Sequence, residues 1–109
     1  MISKAALYCL KIMVQAEERG KRDEAELVCE GDVARLGLRR VSPPAIKELL
    51  QHLAIVKSYE GGQVQRYAIN GVGRAINDNP KLSEDVAAAI KQGEGFMFEG
   101  GKVTRVRKR

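Results

Sequence analysis

At 109 residues, 44% hydrophobic and 30% charged, the chain is sized for one folded domain and is too apolar for a disordered one, and no apolar run approaches the roughly 20 residues of a bilayer span. Its formal charge of +5 sits at one end: Lys102, Arg105, Arg107, Lys108 and Arg109 crowd residues 102–109 without an acid, leaving a body with equal numbers of acids and bases. A single histidine, and two cysteines (Cys9 and Cys29) lacking CxxC spacing, argue against a metal centre, a disulfide framework and a Ser-His-acid nucleophile, so no enzyme, cofactor or metal is expected and the cytoplasm is the expected compartment.

Residues 3–19 read as the first helix, with Ser3 as N-cap and a broad apolar face through Ala6, Leu7, Leu10, Met13 and Val14. A charged break follows around Gly20. Leu27-Val28-Cys29 is a short apolar stretch that suits either strand or helix. Val33, Leu36 and Leu38 then mark a short helix closed by Gly37, with Asp32 near its start. Arg39-Arg40-Val41 turns into a sharply begun helix: Ser42 is placed to cap it, and Pro43 and Pro44 suit its first positions. Ile46, Leu49, Leu50 and Leu53 recur at helical spacing and predict its core-facing stripe.

From residue 55 the period changes from helical to alternating. Two β-type runs flank Gly61-Gly62, which predicts a hairpin; Val56, Ser58 and Glu60 share one face, and Val64, Arg66 and Ala68 share one face of the return strand. Gly71–Asn79 predicts a short helix stopped by Pro80. Ser83, with Glu84 and Asp85 behind it, is placed to cap a last helix ending at Gly93, and residues 95–106 suit a second hairpin or an ordered extension. The expected organisation is a single domain over 1–101, core 30–76, and a basic tail over 102–109.

"DVARLGL", "VSPPAIKELLQHLAIV" and "YEGGQVQRYAINGVGRAI" together resemble the winged helix-turn-helix domain of small prokaryotic transcriptional regulators. The family usually carries glycine after its recognition helix where this chain has Ala54-Ile55, and its iron–sulfur branch needs a cysteine cluster that is missing after Cys29. The resemblance implies a mainly α fold with a small β-hairpin (α+β), a winged helix-turn-helix with added N- and C-terminal helices. It implies a sequence-specific regulator of transcription binding double-stranded DNA, with helix 42–54 in the major groove and hairpin 56–69 as the wing.

On that reading the outward residues of the recognition helix are Pro44, Lys47, Glu48 and Gln51, with Lys47 suited to guanine and Gln51 to adenine. Arg39 and Arg40 contact phosphates, as do backbone N–H groups near the helix start; Ser42, chiefly a cap, stands beside them. Lys57, Gln63, Gln65 and Arg66 serve the wing. Lys102, Arg105, Arg107, Lys108 and Arg109 follow the DNA backbone or minor groove. The limited surface of one copy implies a homodimer built on the flanking helices, and no membrane partner is expected. Two other functions suit the same residues: a winged-helix module that docks a protein, and non-specific nucleic-acid binding through the tail.

Overall fold

A computed structural model of the chain describes residues 2–93, 95–99 and 102–106, with the side chains of 22–23, 98–99 and 102–106 left aside. In chain order the elements are α1 (Lys4–Glu18), α2 (Arg22–Ala25, a single turn), β1 (Glu26–Glu30), β2 (Val33–Leu36), β3 (Arg39–Arg40), α3 (Pro43–Gln51), β4 (Ile55–Gly61), β5 (Val64–Ile69), α4 (Gly71–Asp78), α5 (Leu82–Lys91), β6 (Gly95–Glu99) and β7 (Lys102–Val106). The first five strands form one antiparallel sheet ordered β3-β2-β1-β5-β4, while β6 and β7 pair with each other.

This sheet overturns the winged helix-turn-helix and the mainly α class. The fold is α+β with a five-stranded sheet in place of a small hairpin. Where the motif needs its first helix, residues 33–36 are a strand with alternating exposed and buried side chains, paired to β1 on one side and β3 on the other. Glycines decide it. Gly31-Asp32 and Gly37-Leu38 are two-residue hairpin loops whose first residue has φ of +59 and +63, a region open to glycine and costly for other L-residues. The predicted hairpin closes in the same way at Gly62-Gln63, but it is no free wing: β5 lies between β4 and β1, in the body of the sheet.

Helices α1, α3 and α4 cover one face of the sheet. Ala6, Cys9, Leu10, Met13 and Ala16 form the buried stripe of α1, and the first four share one core with Leu27, Leu36, Tyr67 and Ile69 of the strands and with Leu49 and Ile76 of α3 and α4. Ser3 caps α1 as expected, accepting from the Ala6 N–H at 3.2 Å. The last helix starts differently from the prediction. Lys81 holds its N-cap position, and Ser83 lies fully buried inside the first turn, donating to the Pro80 carbonyl at 2.7 Å and accepting from the Ile2 N–H at 3.1 Å. Its hydroxyl thus ties the N-terminus to α5 instead of capping. Strands β6 and β7 pair antiparallel, as a second hairpin requires, beside α5.

The predicted stripe of α3 is narrower than its spacing implies. Ala45, Ile46 and Leu49 are buried, whereas Leu50 and Leu53 are 38% and 49% exposed. Leu53 ends the helix in the left-handed region at φ 55, with its own N–H on the Leu50 carbonyl and the Ala54 N–H on the Leu49 carbonyl. That pair of bonds is the Schellman arrangement, in which glycine is the usual residue. The end of α1 makes the same two bonds with Gly20 in the corresponding place. Leu53→Gly is therefore expected to stabilise the protein by about 1 kcal/mol, relief of the left-handed strain exceeding the loss of a half-exposed side chain. A urea midpoint that falls on this substitution would contradict the strain.

Candidate functional site

The face of the sheet away from the helices is open among the described residues, and its register sets up the site. Successive side chains of a strand alternate between faces, and directly opposed residues of antiparallel neighbours share a face. Arg40 opposes Arg35, Arg35 opposes Val28, Val28 opposes Arg66, and Arg66 opposes Tyr59. One row thus crosses all five strands as Arg40, Arg35, Val28, Arg66, Tyr59. At about 4.8 Å per strand the three guanidiniums start from positions spread over roughly 14 Å. All three arginines are exposed, Tyr59 is 53% exposed, and Val28 is half-buried between Arg35 and Arg66.

Tyr59 reaches this row through an irregularity. The β4–β5 register shifts between Lys57 and Tyr59, a bulge that leaves Ser58 unpaired and brings Tyr59 onto the face of Val56. Simple alternation, which groups Ser58 and Glu60 with Val56, fails at this point. Two acids flank the row on the same face: Glu30 on one side, and Glu26 on the other, whose carboxylate accepts from the Ser58 hydroxyl at 2.8 Å. None of Arg35, Arg40 and Arg66 forms an ion pair among the described residues.

Of the predicted DNA contacts whose side chains are described, the structure places Arg40 and Arg66 in one row and the others outside it. Arg39 points to the opposite face, where it lies over the Tyr8 ring at 5.7 Å from the centroid and donates to the Tyr8 hydroxyl. Pro44, Lys47 and Gln51 are exposed on α3, while Glu48 is half-buried and accepts from the Ser3 N–H. Lys57 pairs with Glu60 at 3.4 Å; Gln65 accepts from the Tyr67 hydroxyl at 3.0 Å; Gln63 stands exposed at the tip of the β4–β5 loop. Lys102 and Arg105 belong to β7 with side chains outside the described residues, and Arg107, Lys108 and Arg109 lie outside them altogether.

The start of α3 is not the anion-binding end that its arginines and cap suggest. Pro43 and Pro44 carry no N–H, and the Ala45 N–H bonds the Ser42 carbonyl at 3.1 Å. Ser42 occupies the N-cap position but its hydroxyl caps nothing, because the first donors it might accept are missing or taken. Backbone contacts to phosphate at this helix end thus have no free donor in the first three positions.

Arg35, between Arg40 and Val28 in the row, escaped the sequence reading because it fell inside the supposed helix. The signal that exposes it is the spacing of Gly31-Asp32 and Gly37-Leu38 around a four-residue alternation. As to other chemistry, no cluster of metal-ligating side chains occurs among the described residues, and no described helix is long and apolar enough to cross a membrane. Cys9 and Cys29 are both free, and burial raises the pKa of each thiol. Comparisons with protein-family models, with curated proteins and with solved structures each return no match to this chain.

Proposed function

We propose that the chain binds nucleic acid by its phosphate backbone, across the open face of the five-stranded sheet, with Arg40, Arg35 and Arg66 as the phosphate ligands. One observation carries the reading: Arg35 and Arg40 are directly opposed in register, with Arg66 two strands further along the row and no counter-ion paired to any of them among the described residues. Like charges directly opposite each other destabilise a sheet, so the row is a standing cost to the free protein that a polyanion removes. Guanidinium is also the side chain best matched to phosphate oxygens, through two parallel N–H donors.

Tyr59 adds one stacking surface at the end of the row, too few for an aromatic platform that holds successive bases. Backbone contact with weak base preference follows. A role in transcriptional control on double-stranded DNA remains the narrower form of this proposal, with the basic tail adding charge and a cytoplasmic setting suited to two free cysteines.

The test is a titration of labelled duplex and single-stranded oligonucleotides between about 50 and 200 mM salt, where each phosphate contact to duplex adds about 0.9 to the log–log slope. The double variant Arg35→Gln/Arg66→Gln is expected to weaken binding to every sequence alike and to lower the duplex slope by about 2. A tail variant, Arg107→Gln/Lys108→Gln/Arg109→Gln, separates the alternatives. Binding that survives in the row variant and vanishes in the tail variant removes the sheet face from the function. Absence of binding by the wild-type protein at the lower salt removes nucleic acid.

A further inference from the structure

On the helix-covered side, α1, the end of β2, β3 with the turn after it, and the start of α3 line a cleft of about 280 Å³. Its walls are apolar: Cys9 and Ile12 from α1, Leu36 from β2, and Ala45 from α3. Its polar edge is made of Tyr8, Arg39, Arg40 and Ser42, and no acid is among the lining residues. The arrangement is a small apolar space beside two cations.

The donors at that edge are only partly used. Arg39 gives one N–H to the Tyr8 hydroxyl and has no ion pair among the described residues, although a guanidinium carries five donors. The Tyr8 hydroxyl accepts that bond, and its own proton has no acceptor among the described hydrogen bonds. Ser42, deprived of its capping role by Pro44, has a hydroxyl with no described partner. Three side chains at one edge of the cleft thus keep donors that no acceptor among the described residues takes up.

We propose that this cleft binds a small apolar carboxylic acid, its carboxylate held by Arg39 and the Tyr8 hydroxyl and its ring or short chain seated against Cys9, Ile12 and Leu36. Size limits the class: the volume lies at the lower end for ligand pockets and suits an acid of roughly ten non-hydrogen atoms. Charge selects the cleft over its neighbour. A second cleft of about 280 Å³ shares Ile12, Leu36 and Arg39, but there Glu24 offsets the charge of Arg19 and Arg39, whereas Arg39 and Arg40 border the first with no acid. Arg40 of the arginine row also borders the cleft, whereas Arg39 faces away from that row, so Arg39→Gln and Tyr8→Phe test the cleft while leaving the row's arginines in place.

The experiment uses the full chain with two acids, benzoate and octanoate, each against the neutral alcohol of the same skeleton, benzyl alcohol and octanol. Binding is followed by calorimetry, and by the rate at which a thiol reagent modifies Cys9, which is 5% exposed at the cleft wall. At least one acid is expected to bind saturably and about ten-fold more tightly than its alcohol, as a charge-assisted hydrogen bond warrants, and to slow modification of Cys9. Arg39→Gln abolishes that preference; Tyr8→Phe, a milder change at an exposed residue, reduces it several-fold. Equal binding of acid and alcohol, an acid preference that survives Arg39→Gln, or failure of both acids to bind overturns the proposal.

Discussion

Gly73→Ala is expected to destabilise the protein by about 3 kcal/mol, because the added methyl meets backbone as well as a packed side chain. Gly73 is buried in the first turn of α4, and a Cβ there meets the Ala54 carbonyl oxygen at 2.3 Å and Ile69 Cγ1 at 2.6 Å. The first is backbone, so rotating a side chain does not relieve the clash. Nor is the Ala54 carbonyl free to withdraw, because it accepts the Asn70 N–H at 3.3 Å. Asn70 fastens the same junction twice more, accepting from the Gly73 N–H at 2.9 Å to cap α4 and donating to the Leu53 carbonyl at 2.6 Å. Any shift that admits a methyl therefore moves the end of α3, the start of β4 and the cap of α4 together. Gly71→Ala is the control: it lies in the same helix turn with open space around its Cβ position, and alanine there leaves stability unchanged or raises it by about 0.5 kcal/mol. Urea midpoints of the two variants measure the contrast, and equal midpoints would falsify the close approach.

How far the sequence discloses this fold depends on how much of each element repeats. α1 has four turns of pattern, a capping serine and a terminating glycine, and all three agree with the structure. Hairpin 55–69 shows alternation on both sides of a glycine pair and is likewise present. β2 has four residues and β3 has two, too few for any period. Within Val33-Ala34-Arg35-Leu36 the apolar ends stand three apart, which a helix also satisfies, so the choice falls to tertiary pairing. Leu27 and Leu36 oppose each other in register and bury together against α1, an energy that no local propensity records.

The candidate surface was legible in part for the same reason. Arg40 and Arg66 stand out as cations flanking helix α3 and within a hairpin, yet their kinship arises only when β1 and β2 are inserted between them. Arg39 and Arg40, equivalent as a dipeptide, part company because β3 sends consecutive side chains to opposite faces. Glu48, an apparent obstacle to phosphate binding on α3, is turned toward the Ser3 N–H instead. Register, which distributes charge between faces, is a long-range property that composition and local period do not carry.

Val28 gives the row its sharpest test, because it lies between Arg35 and Arg66 without being one of the proposed ligands. Val28→Glu sets a carboxylate in register with both guanidiniums and neutralises the row while leaving every arginine in place. The effects on stability and binding then diverge. Cross-strand ion pairs contribute about 0.2–1 kcal/mol each and offset the loss of a half-buried β-branched side chain, so stability stays within about 1 kcal/mol of wild type. Nucleic-acid affinity at about 50 mM salt falls ten-fold or more, with a shallower salt slope, because the arginines now have an internal competitor for phosphate. Val28→Lys reverses the sign, strengthening binding and steepening the slope, at the cost of added repulsion between Arg35 and Arg66 that lowers the melting temperature. Val28→Gln, similar in size to both and uncharged, separates charge from shape and keeps wild-type affinity. If glutamate, lysine and glutamine at position 28 bind oligonucleotides alike, the row is an ordinary solvated face and the phosphate contacts lie elsewhere; an ordered series, lysine above glutamine above glutamate, is the signature of phosphates lying across the sheet.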